Sequence, residues 1–167
     1  MIDQAFFQRL YDLPLSDAIR QNAMAFPLIE SLHVLSIALV FGTILIVDLQ
    51  LVGFRSHRRS ALRLSAELLP FTWVAFASAV ITGLLMFLSN AVAYINNTEF
   101  LVKMGLIVVA GLNMIYFHST IYRSIAHWDE RPRAPTAARV AGATSLILWT
   151  SVIVFGRWIG FTLDMLF

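Results

Sequence analysis

The stretch PLIESLHVLSIALVFGTILIVDLQLVGF, residues 27–54, decides the architecture. It exceeds the roughly 20 helical residues needed to cross a hydrocarbon core of about 30 Å. Its only ionisable side chains are Glu30, His33 and Asp48. Such groups are costly at the centre of a bilayer and less so near its rim, so those that persist ligate something, carry protons or pair with another charge. Glu30 and Asp48 are about five full turns apart and share a helical face. At about 100° per residue, His33 lies roughly 60° from both. The helix therefore has one polar stripe, which belongs against the bundle interior or a partner subunit rather than lipid.

Composition agrees. The chain has 167 residues, 59% of them hydrophobic and 13% charged, against about 25% charged in soluble domains. One compact domain fits this length. A net charge of +2 and dispersed arginines exclude a nucleic-acid surface. With no cysteine, disulfides, thiolate metal sites, iron–sulfur clusters and covalently attached haem are excluded. Histidine, methionine, lysine and carboxylates remain as ligands. The acidic N-terminus, with Asp3, Asp12 and Asp17, does not read as a signal peptide. Residues 15–26 (LSDAIRQNAMAF) read as a short amphipathic helix at the membrane surface, capped by Ser16. The other reading is a loosely ordered leader.

The expected fold is all-α, with four transmembrane helices at about 27–53, 70–95, 100–122 and 138–166 in an up-down bundle. Residues 1–26 then form an interfacial N-terminal segment and 27–167 the transmembrane domain. Pro70 suits the first turn of the second span, where its missing N–H is harmless. The basic link 54–69 suits an interfacial helix, and 123–137, with its prolines, a loop. Asn96 and Asn97 mark the turn between the second and third spans. Arg55, Arg58, Arg59 and Arg63 border one loop, and Arg123, Arg131, Arg133 and Arg139 another on the same side. By the positive-inside rule that side is cytoplasmic, which places both termini in the periplasm of a bacterial inner membrane.

A rise of about 1.5 Å per residue converts sequence position into depth. His33 falls about 9 Å below the outer end of the first span, Lys103 within about a turn of the outer end of the third, and Arg157 about 14 Å or less from that of the fourth. With Glu30 and Met86 they compose an outer layer drawn from all four helices. Asp48 and His118 form an inner layer, with Asn113 somewhat above it. His33 and His118 differ in depth by about 18 Å, so they do not clamp one iron within a subunit. A sixth ligand then falls to Met86, Lys103, another subunit, a small molecule or none.

His33 is the candidate axial haem ligand, since neutral imidazole is a common ligand for such iron. The competing reading is a packing residue hydrogen-bonded to Glu30 or a neighbouring helix. Glu30 is expected to orient the imidazole through its N–H, and Glu30-x-x-His33 also matches half of a di-iron carboxylate motif, without a second copy. Arg157 and Lys103 suit haem propionates or a quinone headgroup. They equally suit snorkelling, or pairing with Glu30, Glu99 or Asp164. His118 is either a second haem ligand, a proton relay or an interfacial structural group. Met86 is a ligand candidate or core filler, Asp48 a partner for a loop arginine, and His57 and His127 solvated loop residues. Ala75, Ser78, Ala79, Thr82 and Gly83 read as a close-packing stripe. Trp73, Trp149 and Trp158 suit a porphyrin's flanks or an aromatic belt.

Four motifs carry a resemblance: ESLHVLSIALVFGTILIVDLQLVGF (30–54), TGLLMF (82–87), FLVKMGLIVVAGLNMIYFH (100–118) and GRWIGF (156–161). Together they resemble a bacterial family of small four-helix inner-membrane proteins of unknown function, over nearly the whole chain. More distantly the chain resembles the CopD-like group, which includes membrane protoporphyrinogen oxidases. That resemblance implies b-type haem, with His33 and Lys103 at positions that are functional in the group. Asn113 stands about where the oxidases carry a further histidine, and Gln50 is near the position of a missing arginine, so protoporphyrinogen oxidation is not implied.

The expected function is therefore that of an inner-membrane b-type haem protein in electron transfer. His33 would ligate iron, Lys103 and Arg157 would offset propionates, and a quinone or periplasmic protein would be the redox partner. The alternative is a non-enzymatic oligomeric subunit or small-solute or metal carrier, whose buried charges serve assembly or a polar path. A third is an oxidase of a lipophilic substrate. No serine–histidine–acid arrangement supports hydrolysis. Homo-oligomerisation is expected, because so small a bundle has little interior for a porphyrin.

Overall fold

The computed structural model describes residues 4–54, 61–124 and 134–163, with only the backbone of 61–66 and 124. All regular structure among them is helical: α1 Gln4–Tyr11, α2 Pro14–Gln21, α3 Ala25–Val52, α4 Ala61–Ser89, α5 Ala91–Asn96, α6 Thr98–Tyr116 and α7 Thr136–Leu163. A wide π turn, Phe117–Ile121, and a 3-10 turn, Tyr122–Ser124, extend α6. Four stretches are long and apolar enough to cross a membrane, namely Ala25–Val52, Glu67–Ser89, Thr98–Ile121 and Thr136–Leu163. They define a multi-pass membrane protein. The bundle has a terminal end, where α1, α2 and α5 lie, and a loop end, where α3 stops and α7 starts.

Three boundaries differ from the sequence reading. Pro70 lies inside α4 rather than at its start, because the helix already begins at Ala61. A proline costs about 3 kcal/mol in a helix interior, but leucine, alanine, arginine and glutamate around it are strong helix formers. The second span ends at Ser89, where Asn90 (φ −151°, ψ 56°) breaks the helix, and residues 91–96 form the separate α5. At the N-terminus, α2 starts at Pro14, whose fixed φ suits a first turn. Ser16 is therefore inside α2 rather than its cap. Its hydroxyl, fully buried, donates to the Leu10 carbonyl at 2.8 Å and ties α2 to α1.

Arg20 anchors this N-terminal pair. Its guanidinium donates to the carbonyls of Tyr11 (2.8 Å) and Ser89 (3.2 Å), which end α1 and α4, and it stacks over the Tyr11 ring at 3.8 Å. Terminal carbonyls lack intrahelical donors and carry the negative end of the helix dipole, so one cation serves two helix ends. At the loop end, α3 stops at Gly53, whose φ of 124° suits glycine; the N–H groups of Gly53 and Phe54 both return to the Leu49 carbonyl.

The packing order follows from small and polar residues. On α3, His33, Ser36 and Thr43 recur near a heptad spacing, and they meet Thr82, Ser78 and Thr72 of antiparallel α4 at 2.9, 2.8 and 2.9 Å. Hydrogen bonds across membrane helices average about 0.6 kcal/mol each, so this ladder sets register more than stability. Buried Val40 and Ala75 lie within it. α3 also packs on α7, and α7 on α6, whereas α4 and α6 pack against those two rather than closely on each other. At the terminal end the rings of Phe87 and Phe100 stack between α4 and α6, 5.6 Å apart, with Tyr94 tilted against both.

Asn97 closes this end. Only 3% exposed, it accepts from the Phe100 N–H through Oδ1 (2.8 Å) and donates through Nδ2 to Thr162 Oγ1 (2.8 Å), capping α6 and holding α7 to it. Asn97→Ala is expected to cost about 2 kcal/mol, and Asn97→Ser, which restores the cap alone, to recover about half of it. Thermal unfolding in detergent measures both.

Candidate functional site

The polar groups meet along one inward-facing strip. At about 100° per residue, His33, Val40, Val47 and Leu51 fall on one face of α3, and Lys103, Ile107 and Met114 on one face of α6. Except for His33 and Lys103, these residues line a cavity of about 200 Å³, together with residues of α4 and α7. His33 sits about 10 Å above Val40, and Lys103 about 6 Å above Ile107. The strip thus has a histidine–lysine pair at the terminal end, an apolar cavity below it and a second polar group at the loop end.

At the terminal end the His33 ring lies on Gly83, where a Cβ would come within 3.0 Å of its Cε1. A side chain at this position would push the imidazole back by a few tenths of an ångström. His33 Nδ1 is 2.9 Å from Thr82 Oγ1. With the Thr82 hydroxyl donating to the Ser78 carbonyl at 2.7 Å, its oxygen is left to accept from Nδ1–H, and the Ala79 backbone carbonyl also accepts from the ring. In the neutral ring, Nε2 then bears the free lone pair. Lys103 lies close enough for its charge to act on the ring, with its Cε and Nζ packed on Gly156 of α7, 3.7 Å from where a Cβ would be.

The expected outer layer is only partly assembled. His33 and Lys103 converge. Glu30 is exposed, and no hydrogen bond joins it to His33 among the described residues: Thr82 takes the orienting role expected of Glu30. Glu30 instead lies beside Tyr94. Burial, with that charge next to it, pushes the Tyr94 phenol up to about 12, so it remains a neutral donor at physiological pH. Arg157 is exposed and stands over the Phe161 ring at 5.0 Å. Met86 is half-buried one turn beyond Thr82, and its carbonyl accepts from Ser89.

At the loop end Asp48 is 7% exposed and lines the cavity. No arginine among the described residues pairs with it, and Arg55, Arg58, Arg59, Arg131, Arg133 and the side chain of Arg63 lie outside them. Ser145 bonds the carboxylate, while its Oδ2 is buried with no partner among the described residues. Arg139 reaches the Val52 carbonyl instead, at 3.3 Å. His118, in the π turn, lines the same cavity; its Nδ1 donates to the Met114 carbonyl at 3.0 Å, and its ring tilts over Tyr122. Asn113 donates to the Ala141 carbonyl at 3.1 Å. Trp73 and Trp149 line the cavity, whereas Trp158 is exposed. No group of three or more histidine, aspartate or glutamate side chains suited to a metal ion occurs among the described residues. His57, His127, Arg55, Arg58, Arg59, Arg131, Arg133, Asp164 and the side chain of Arg63 lie outside them.

Sequence reading missed Thr82 as a hydrogen-bond partner and Asp48 as a cavity residue. The signal for Thr82 was present: Thr72, Ser78 and Thr82 mirror Thr43, Ser36 and His33 in reverse order.

Fold and site together define a helical, multi-pass membrane protein with a half-buried histidine–lysine pair. The chain belongs to a family of unknown function, DUF6644, whose sequence profile matches residues 23–162. No curated protein and no solved structure matches it.

Proposed function

We propose that this protein is a b-type haem protein of the bacterial inner membrane that passes single electrons, with His33 Nε2 as the axial ligand. One observation carries the reading: with its hydroxyl donating to Ser78, the Thr82 oxygen is left to accept from His33 Nδ1–H, the tautomer in which Nε2 keeps its lone pair. A histidine that ligates a metal has its other nitrogen held in this way by a polar neighbour. Lys103 would supply a half-buried cation for a propionate, and Gly83 gives the ring a close seat on α4. Haem would supply one-electron redox chemistry. A flat group would reach His33 from the side where α4 and α6 pack on α3 and α7 rather than on each other. The likeness of His33 and Lys103 to functional residues of the CopD-like group points the same way. Both termini face the periplasm in this reading, from which a soluble redox partner or a quinone exchanges electrons.

The test is spectroscopic. Protein purified from haem-replete cells is expected to show a Soret band that sharpens on reduction with dithionite and a b-type pyridine haemochrome at about one haem per chain or per pair of chains. A colourless preparation from such cells overturns the reading.

A further inference from the structure

The second polar end of the strip has its own chemistry, and it does not depend on haem at His33. The hydroxyl protons of Thr43 and Thr72 in the cavity lining are engaged: that of Thr72 is shared between Thr43 Oγ1 and the Leu68 carbonyl, and that of Thr43 between carbonyls of its own helix. The Asn113 amide donates to Ala141. Asp48 and His118 keep acceptor capacity. Asp48 is more than nine-tenths buried, and its Oδ2 has no partner among the described residues. His118 must carry its proton on Nδ1, because the Met114 carbonyl can only accept, which makes Nε2 of the neutral ring an acceptor. Both groups accept hydrogen bonds, and the walls around them are aromatic and aliphatic, including Trp73, Phe76 and Trp149.

A buried acceptor without a donor costs free energy unless a ligand supplies the donor. The complement of two acceptors in an apolar chamber is an apolar ring carrying hydroxyl donors. An apolar cavity of about 150 Å³ holds benzene, so about 200 Å³ holds one substituted ring. We infer that this cavity binds the ring of a lipid-soluble hydroquinone, one hydroxyl donating to Asp48 and the other lying toward His118, with the tail leaving between α4 and α6.

The probes are a tritiated benzohydroquinone with a ten-carbon tail and its dimethyl ether, which matches its shape but lacks both donors. Equilibrium binding is measured anaerobically on the detergent-purified full chain. The hydroquinone is expected to bind saturably and about tenfold or more tighter than the ether, as befits a hydrogen bond to a buried carboxylate. Asp48→Ala is expected to bring the hydroquinone down to the ether's affinity and leave the ether unchanged. Gly111→Leu, whose side chain grows into open space in the cavity wall, is expected to abolish binding of both. The comparison in the unmodified chain and Gly111→Leu stand even if Asp48→Ala does not fold. Equal affinity for the two probes, unchanged hydroquinone affinity in folded Asp48→Ala, binding that survives Gly111→Leu, or preference for a lipophilic quaternary ammonium ion each overturns the inference. None of these readouts involves a haem band, so a colourless protein that binds the hydroquinone separates this site from the reading of His33.

Discussion

His33→Ala is expected to give a folded bundle without a Soret band, whereas His118→Ala keeps its haem. The fold survives because the ring contributes one rung of a ladder whose other rungs, Ser36–Ser78 and Thr43–Thr72, remain. Thr82→Val is the sharper variant. It preserves shape and removes the Thr82 acceptor, leaving only the Ala79 backbone carbonyl to hold the ring N–H, which costs about 0.5–1.5 kcal/mol. The ring relieves this by turning or by moving its proton to Nε2, and either change removes the lone pair from the ligand position. Loss of such an orienting partner typically costs a metal site 10–100-fold in affinity. Haem occupancy of Thr82→Val is therefore expected to fall about tenfold or more in competition with a haem-binding apoprotein, with Thr82→Ser close to the unmodified chain. If Thr82→Val retained haem as well as Thr82→Ser, the hydrogen bond would not govern the ligand, and Nε2 coordination would lose its support.

The spans were legible because a bilayer imposes a length of apolar chain that few other structures need. Their neighbours were not legible. Four segments of similar hydropathy do not say which pairs pack, and the order α4–α3–α7–α6 rests on cross-helix contacts between residues that are far apart in sequence. The same limit explains the partner of His33. Glu30 is one turn away on the same helix and easily seen, while Thr82 is 49 positions away and meets the ring only after α3 and α4 dock. Asp48 looked like a residue of the rim, within reach of loop arginines. Among the described residues, close approach of α3 to α7 also places it against Ser145 and the cavity, contacts that its position in the sequence does not reveal. Pro70 shows a different gap: a helix breaker is informative only relative to the strength of the helix formers on both sides.

Gly142→Ala is expected to destabilise the bundle, although alanine is the better helix former by about 1 kcal/mol. The competing effect is steric. A Cβ on Gly142 would stand 3.1 Å from Leu51 Cβ and 3.2 Å from the Asp48 backbone carbonyl. Neither is the end of a flexible side chain, so relief requires α3 to move away from α7. Overpacking of this kind typically costs about 1–3 kcal/mol, which outweighs or at least cancels the gain in propensity. Gly105→Ala is the matched control, since nothing lies within 4 Å of its Cβ position. It should raise the unfolding midpoint while Gly142→Ala lowers it, and their difference isolates packing from backbone entropy. Adding Leu51→Ala to Gly142→Ala should recover little, because it leaves both the Leu51 Cβ and the Asp48 carbonyl in the way. Thermal or denaturant unfolding in one detergent measures all three, and a Gly142→Ala midpoint at or above that of Gly105→Ala would mean that α3 and α7 are not in the contact that positions Asp48.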